Sequence, residues 1–313
     1  MNLSLLIIVP LLFSLILLFL KDQQVKTVSL VGAAIQFLLS VYLVFQFSAE
    51  RDVNNTAFLF EQNYEWFKLP NINYHIGVDG ISVAMIVLTS FVVLAGVLVS
   101  WKQKSMSKEF FFLLLFLSMG AYGFFISLDL FTMFFFLEVA VIPKFLMIGI
   151  WGSGKKEYSA MKLALMLMAG SSLVFVGLAG LYFNSSFGGN YSFDMLQIAA
   201  QQIAPEVQKL FFPFVFVGFG IFTALFPFHT WVPDGHSSAP TAASMFLAGI
   251  SMKLGGYGCL RAATYLMPEG AAYYSDAIIV LAGIAILYGA FVTMMQKDLK
   301  YINAYSSVSH NGF

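Results

Sequence analysis

Three ionisable side chains lie deep inside long apolar stretches of the sequence. Glu138 lies in FFFLEVAVIPKF, Lys144 follows it by six residues, and Lys253 lies in LAGISMKLGGYG. A charged group at the centre of a bilayer costs at least ~2.5–3.5 kcal/mol, so such residues usually face protein or water and serve a function. Burial and nearby charges tune the proton affinity of these groups, which makes them candidates for a proton pathway.

Glu138 and Lys253 are each too deep to reach the membrane surface. Glu138 is the ninth residue of its apolar stretch. Lys253 lies halfway along the stretch 240–264, ~15 Å from either surface, and glycines beside it would let another backbone approach closely. Each residue is explained either by a proton relay or by a fixed structural contact, and we favour the relay.

Lys144 is placed differently from Glu138 on the same predicted helix. It follows Pro143, and an offset of six residues separates the two side chains by ~9 Å along the axis and about 120° around it. This angle disfavours a direct ion pair, although a proline kink would change it. Lys144 therefore either extends to the inner surface or serves the same site as Glu138.

The segment 226–244, FPFHTWVPDGHSSAPTAAS, combines three prolines with two histidines and an aspartate. Proline interrupts helices, and interrupted backbone at membrane depth lines a cavity or is buried in protein. His229, Asp234 and His236 lack a fourth candidate metal ligand. Proton uptake through His229 and ordinary loop hydrogen bonding are the stronger interpretations, and we expect no metal site and no bound cofactor.

The composition places these residues in a membrane protein. Of 313 residues, 59% are hydrophobic and 10% are charged, against about 25% charged in ordinary globular proteins. Acidic and basic residues are equal in number, which leaves no basic surface for nucleic acid. The single cysteine, Cys259, excludes an internal disulfide and any paired-cysteine redox or metal motif.

We predict an all-α polytopic membrane protein with about nine complete spans and the start of a tenth. A span needs about 20 apolar residues, and these stretches lack the alternation of barrel strands. Two long polar loops, 48–79 and 184–208, are expected to cover the outer end of the bundle. The predicted spans are 3–20, 27–47, 81–100, 110–128, 130–151, 160–183, 209–231, 240–264 and 276–295, with a tenth from about residue 301.

The loop charges predict that the N-terminus lies outside. In that orientation nine lysines lie in inner loops and about four cations lie outside, which agrees with the positive-inside rule. The last helix stops after about three turns, and a half-span leaves backbone groups unsatisfied in lipid, so we expect the N-terminal portion of a longer protein. The inner lysines are Lys21, Lys26, Lys102, Lys104, Lys108, Lys155, Lys156, Lys297 and Lys300.

Four motifs carry a resemblance to a known family. They are YHIGVDGIS (74–82), FLEVAVIPKFLMIGIWG (136–152), the long motif within 226–258, and DLKYINAYSSVSHNGF (298–313). Together they resemble the antiporter-like membrane subunits of respiratory complex I, the NADH-quinone oxidoreductase. The first two motifs fit the group called subunit M, or mitochondrial chain 4, best.

This resemblance implies a fold of fourteen helices that contains two inverted five-helix repeats with a broken helix in each. Residues 1–109 would form spans one to three with a long outer loop. Residues 110–264 would form the first repeat, an antiporter-like bundle with a broken seventh helix. Residues 265–313 would begin the second repeat.

The resemblance also implies roles for individual residues. In the family a fifth-helix glutamate pairs with a seventh-helix lysine, and an eighth-helix lysine relays protons. Glu138 and Lys253 match the first and the third, whereas the position of the seventh-helix lysine holds Phe222. Our hypothesis is that Lys144 supplies the displaced cation and that His229 feeds the path; the alternative is a weakened or non-pumping subunit.

The implied function is that of a proton-translocating subunit in the membrane arm of a bacterial inner-membrane NADH:quinone oxidoreductase. Its partners would be lipid and the other membrane subunits of complex I. The chain has no nucleotide fingerprint and no cluster cysteines, so the redox and quinone chemistry would occur elsewhere in the complex. A cation/proton antiporter or membrane-hydrogenase subunit, and a purely structural membrane subunit, are the alternatives.

Overall fold

The protein is a multi-pass helical membrane protein. A computed structural model describes residues 1–103, 105–187, 190–201 and 203–313. Within these ranges seven helices are long and apolar enough to cross a membrane, so the predicted helical membrane bundle is confirmed. Lys104 of the orientation argument, and Gly188, Gly189 and Gln202 of the loop 184–208, lie outside the described residues.

The described residues form thirteen α-helices and four strands. The helices are α1 (Leu5–Phe19), α2 (Asp22–Arg51), α3 (Gly80–Val99), α4 (Ser107–Ile126), α5 (Leu130–Trp151), α6 (Lys156–Asn184), α7 (Met195–Ala200), α8 (Pro205–Thr223), α9 (Trp231–Ser238), α10 (Thr241–Phe246), α11 (Met252–Gly258), α12 (Pro268–Met295) and α13 (Leu299–Asn311). The strands are β1 (Leu59–Phe67), β2 (Ile72–Val78), β3 (Ser186–Phe187) and β4 (Asn190–Tyr191). Two π-helical turns, Leu247–Ser251 and Cys259–Thr264, follow α10 and α11.

Two of the nine predicted spans fall short of the length that the others reach. The stretch 3–20 contains α1, which has 15 residues. The stretch 240–264 is divided into α10, α11 and the two π-turns. The seven helices of full length are Asp22–Arg51, Gly80–Lys102, Ser107–Ile126, Leu130–Trp151, Lys156–Asn184, Pro205–Ser238 and Pro268–Met295. The count of nine spans therefore stays a prediction.

The expectation of an all-α chain is corrected at the loop 48–79, which contains an antiparallel hairpin. β1 pairs with β2 in a register that sets Asn63 opposite His75. β1 is rich in aromatic residues and β2 in β-branched ones, and both types favour extended backbone. The hairpin packs against the connection between α4 and α5, where the Leu128 N–H donates to the His75 carbonyl at 2.8 Å.

Successive spans alternate in direction, so the connecting segments lie at two opposite ends of the bundle. The two ends differ in the residues they carry. We call the end that carries β1, β2 and α7 the hairpin end. The opposite end, the lysine-rich end, carries Lys21, Lys102, Lys155, Lys156, Lys297 and Lys300. At the hairpin end Asp79 caps α3 by accepting from the Ser82 N–H at 2.9 Å and also pairs with Arg261, which joins α3 to the second π-turn.

Small residues decide how closely the central helices pack. α4 is buried along most of its length. A Cβ atom at Gly123 of α4 would lie 2.4 Å from the Phe136 ring, so only glycine lets α5 approach there. A Cβ atom at Gly255 of α11 would lie 2.4 Å from the Thr223 amide nitrogen and 2.5 Å from the Phe219 carbonyl oxygen. α11 therefore lies directly on the backbone at the end of α8.

Replacing Gly255 with alanine should destabilise the protein by about 1–3 kcal/mol, because the added carbon meets backbone atoms that cannot rotate away. Gly256 is the matched control, since a Cβ atom there meets nothing within 4 Å. The measurement is the thermal unfolding midpoint of the purified full-length protein in detergent. Equal midpoints for Gly255→Ala and Gly256→Ala would show that α11 does not press on α8.

Candidate functional site

The helical path from Pro205 to Ser238 is interrupted between α8 and α9. Ala224 has a positive φ of 66°, and Pro227 has no amide hydrogen to donate, so the regular hydrogen-bond pattern stops. Other groups satisfy the backbone oxygens at the interruption. These contacts are Leu225 N–H to Gly220 O at 2.8 Å, Trp231 Nε1–H to Ile221 O at 3.0 Å, and Asn311 Nδ2–H to Thr223 O at 2.8 Å.

The interruption places His229 inside the protein. His229 lies in a short 3-10 turn and is 4% exposed. Its ring stacks on Phe226 at 5.5 Å between centroids and meets the edge of Tyr288 at 4.9 Å. Its Nδ1 atom is buried and has no hydrogen-bond partner among the described residues. A buried imidazole nitrogen of this kind can accept a proton from a neighbour or from water.

His236 and Lys253 form a second pair of neighbours. His236 is 1% exposed; its Nδ1 is 2.9 Å from the Ser244 hydroxyl, and its Nε2 has no partner in the described part of the chain. The charge of Lys253 acts on His236. Lys253 is partly buried, and its amine donates to the Ala248 carbonyl at 2.8 Å.

The first π-turn explains how Lys253 is held. In this turn the Met252 N–H donates to the Leu247 carbonyl, five residues back, so the helix is locally widened. The Lys253 amine donates a hydrogen bond to the Ala248 carbonyl of the same turn. In the ranges that the structure describes, no carboxylate lies within 4.0 Å of the Lys253 amine. The amine therefore interacts with a neutral carbonyl group and not with a charged carboxylate. It can gain or lose a proton without breaking an ion pair.

Glu138 and Lys144 interact through their charges without forming an ion pair. Lys144 is 1% exposed, and neither its amine nor the Glu138 Oε1 has a hydrogen-bond partner among the described residues. Each charge acts on the other. No contact of 4.0 Å or less joins them within the described ranges. Phe222, where the resemblance places a lysine, is buried and 1% exposed.

Glu138 faces the flank of the bundle. It lines a groove of about 540 Å³ between α5 and α6 together with Phe134, Met168, Ser171 and Phe175. The groove is apolar except for Glu138 and two serine hydroxyls, Ser171 and Ser172. Within the isolated chain Glu138 and Lys253 are not brought into contact.

Besides the Asp79–Arg261 pair, two further short ion contacts between separate elements were not predicted from the sequence. Lys162 of α6 pairs with Asp234 of α9 at 2.7 Å, although the residues are 72 positions apart. At the hairpin end, His75 Nδ1 is 2.6 Å from Asp194. No local pattern predicts either pair, because each joins separate elements. Within the described residues no three His, Cys, Asp or Glu side chains are placed to hold a metal ion.

The hairpin-end cluster contains His75, Asp194 and Asp129, all buried. Asp129 caps α5 through the Thr132 N–H at 3.0 Å and accepts from the Asn73 N–H at 3.2 Å. Burial raises the pKa of Asp129 to about 6, although these amide donors oppose the shift. Burial lowers the pKa of His75, but the hydrogen bond and charge of Asp194 outweigh it and raise that pKa above 6.5.

Comparisons with known proteins agree with the resemblance seen in the sequence. Residues 127–313 match the family described as NADH:quinone oxidoreductase/Mrp antiporter, TM. The chain is 35% identical over 319 residues to NADH-quinone oxidoreductase subunit M of Rickettsia prowazekii, covering 99% of this chain and 63% of the relative. It is 32% identical to NAD(P)H-quinone oxidoreductase chain 4 of Microcystis aeruginosa, covering 99% of this chain and 56% of that relative.

Two solved structures share the fold. A chain of respiratory complex I from Thermus thermophilus with bound NADH superposes with a TM-score of 0.88 at 26% identity, covering 99% of this chain and 63% of that chain. A chain of the membrane-bound sulfane sulfur reductase, an archaeal respiratory membrane complex, gives a TM-score of 0.86 at 22% identity, covering 99% of this chain and 63% of that chain, and shows the fold alone. The chain thus spans less than two thirds of these relatives.

The hairpin-end cluster should lose stability as the pH rises from about 4 to 8. Asp129 and His75 both bind their protons more tightly in the folded state than in the unfolded state. The free energy of local unfolding therefore decreases as the pH rises through the pKa values of the folded state. The free energy of local unfolding is measured by hydrogen exchange of the backbone amides of residues 72–78 and 127–133 in lipid nanodiscs. The exchange rates are corrected for the intrinsic rate at each pH. Asp129→Asn keeps the cap but cannot titrate and should flatten the dependence. An unchanged slope in that variant would contradict the assignment.

Proposed function

The chain belongs to the NADH:quinone oxidoreductase/Mrp antiporter transmembrane family, and from that premise we propose that it is a proton-translocating membrane subunit of an NADH:quinone oxidoreductase. The observation that carries the proposal is Lys253, a lysine amine inside the bundle that binds a carbonyl and no carboxylate among the described residues. An amine held this way can gain and lose a proton without breaking an ion pair.

Three of the candidate residues have complementary roles in this proposal. His229 is buried at the helix interruption, its Nδ1 has no hydrogen-bond partner among the described residues, and it receives protons from the lysine-rich end. His236, on which the Lys253 charge acts, links that region to the centre. Lys253 then carries the proton laterally. Support comes from the fact that each of these groups retains a free nitrogen or a neutral partner, whereas a structural ion pair would have neither.

Glu138 and Lys144 are proposed to set the field that controls loading. Phe222 cannot supply a charge, and Lys144 is a buried cation whose charge acts on Glu138. A carboxyl on an apolar flank groove is costly in contact with acyl chains. The groove is therefore proposed to be covered by a neighbouring membrane subunit, to which Glu138 connects the path.

The arrangement in the membrane is also a proposal. The lysine-rich end lies inside and the N-terminus outside, in a bacterial inner membrane. α1 and the run from α10 to the second π-turn complete nine spans, and the interruption between α8 and α9 is the broken seventh helix. Residues 1–109, 110–264 and 265–313 then form the first three spans, the first repeat and the start of the second. Electrons and quinone are handled in other subunits.

Phe222 supports a second candidate function, a subunit that does not pump. Without the seventh-helix lysine, Glu138 lacks its usual partner, and the chain would then serve as a structural link between neighbours. The buried Lys144 and the partly buried Lys253 argue against it, because a scaffold gains nothing from their desolvation.

Replacing Lys253 with methionine should abolish proton pumping and leave the complex assembled, because methionine fills similar space and removes only the proton-binding amine. Pumping per electron is measured in membrane vesicles that contain the full-length chain in its complex. Lys297→Met, at an exposed lysine of the lysine-rich end, is the matched control. A normal proton-to-electron ratio in Lys253→Met would refute the relay.

Glu138→Gln and Lys144→Met should be strongly non-additive. If the two charges act as one unit, either single variant removes their effect, and the double variant is no worse than the more damaged single one. The measurement is the pumping rate of the three variants in the same vesicles. Losses that simply multiply in the double variant would show that Lys144 does not serve Glu138.

A further inference from the structure

The Lys162–Asp234 pair lies at the lysine-rich end, beside the helix interruption. Lys162 is six residues into α6, and its amine is 2.7 Å from the Asp234 carboxylate of α9. The two side chains are 25% and 27% exposed. The pair is thus partly open to its surroundings, unlike the buried ions near the centre. A part-exposed ion pair contributes little stability and opens readily.

The pair adjoins the buried His229 through a set of polar groups. The charge of Lys162 acts on His229. Tyr305 of α13 interacts electrostatically with both Asp234 and Lys162, and with Tyr288. The Tyr288 ring in turn meets His229. Polar groups therefore extend from a partly exposed ion pair to an imidazole nitrogen that has no hydrogen-bond partner among the described residues.

The fold does not need this pair to hold α9 in place. The Ser238 hydroxyl is 2.7 Å from the Ser159 hydroxyl, and the Ser238 carbonyl accepts from the Ser153 N–H at 2.8 Å. The Lys300 amine donates to the Ser237 and Ala239 carbonyls at 3.0 and 3.1 Å. These contacts fix the end of α9 to α6 and α13, so the ion pair is free to open and close.

We propose that Lys162 and Asp234 form the gate through which protons enter the path at the lysine-rich end. Asp234 is the proton acceptor. Lys162 is the latch, because its charged amine pairs with the Asp234 carboxylate and keeps that carboxylate ionised while the gate is closed. When Lys162 moves away, the Asp234 carboxylate takes up a proton from a hydronium ion of the solvent at the lysine-rich end, which leaves water, and the carboxyl becomes neutral. The proton then passes through hydrating water to His229 Nδ1, which leaves imidazolium, and the restored carboxylate pairs again with Lys162.

This inference rests on the proposed function, and it predicts opposite effects from the two halves of one pair. Lys162→Gln removes the latch, so quinone reduction continues while the proton-to-electron ratio falls and passive proton leak rises severalfold. Asp234→Asn removes the acceptor, so quinone reduction and pumping both slow by about tenfold or more, since a positioned proton-transfer group contributes roughly 10²–10⁴-fold. Asp234→Glu keeps the carboxylate and should restore both rates.

The experiment uses the full-length chain in its membrane complex, with quinone reduction, pumping and leak measured in the same vesicles. Lys156→Gln is the control, because Lys156 is on the same helix and, in the described part of the chain, its amine donates to the Ile150 carbonyl and to no carboxylate. If the pair were purely structural, Lys162→Gln and Asp234→Asn would each break it and would have the same effect. The gate is therefore overturned if both variants show the same defect, if both fail to assemble, or if neither shows a defect.

Lys253→Met, measured in parallel, separates this inference from the proposed function. Normal pumping in Lys253→Met means that the proposed function fails. If pumping is lost in Lys253→Met while the two gate variants behave alike, the relay stands and only the gate is wrong.

Discussion

The main constraint on this structure is that a helix interrupted at membrane depth must find new hydrogen-bond partners for its backbone. The interruption after Thr223 frees carbonyl groups that water cannot reach in hydrocarbon. Trp231 from the following turn and Asn311 from α13 supply the missing donors. Gly255 of α11 packs against the same backbone. The interruption that positions His229 therefore depends on two elements distant in sequence, α11 and α13.

The charged groups at the hairpin end differ from those in the middle of the bundle in how they are partnered. At the hairpin end they are paired: Asp79 with Arg261, and His75 with Asp194. In the middle of the bundle the Lys144 amine has no hydrogen-bond partner or ion pair within 4.0 Å among the described residues, and Lys253 binds a carbonyl. Paired charges hold elements together, because breaking a buried pair leaves a buried charge without a counter-ion, which is costly. Charges without a counter-ion can change protonation at less cost, which is the physical basis of the relay proposed for Lys253.

Sequence reasoning succeeded where a property belongs to a single segment. Hydropathy predicted Glu138 and Lys144 within a span, and α5 is long and apolar enough to cross a membrane. The motifs predicted the family, which the comparisons confirmed. The membrane depth of Lys253 and a broken membrane helix at 226–244 stay predictions. Sequence reasoning missed properties that depend on two segments. The hairpin needs two strands in register, and Lys162 pairs with a residue 72 positions away. The π-turn that holds Lys253 has no sequence signature in a single chain, and the roles of these residues stay proposals.

The placement of Lys144 changes how such a protein could be gated. A glutamate and a lysine on different helices can be pulled apart when one helix moves. Glu138 and Lys144 lie on the same helix, α5, whose geometry fixes their axial separation at ~9 Å. Their coupling can then change only through protonation or local bending at Pro143, and not through motion between helices. A contact that opens between helices must be sought elsewhere, and Lys162–Asp234, which joins α6 to α9 beside the interruption, has that geometry.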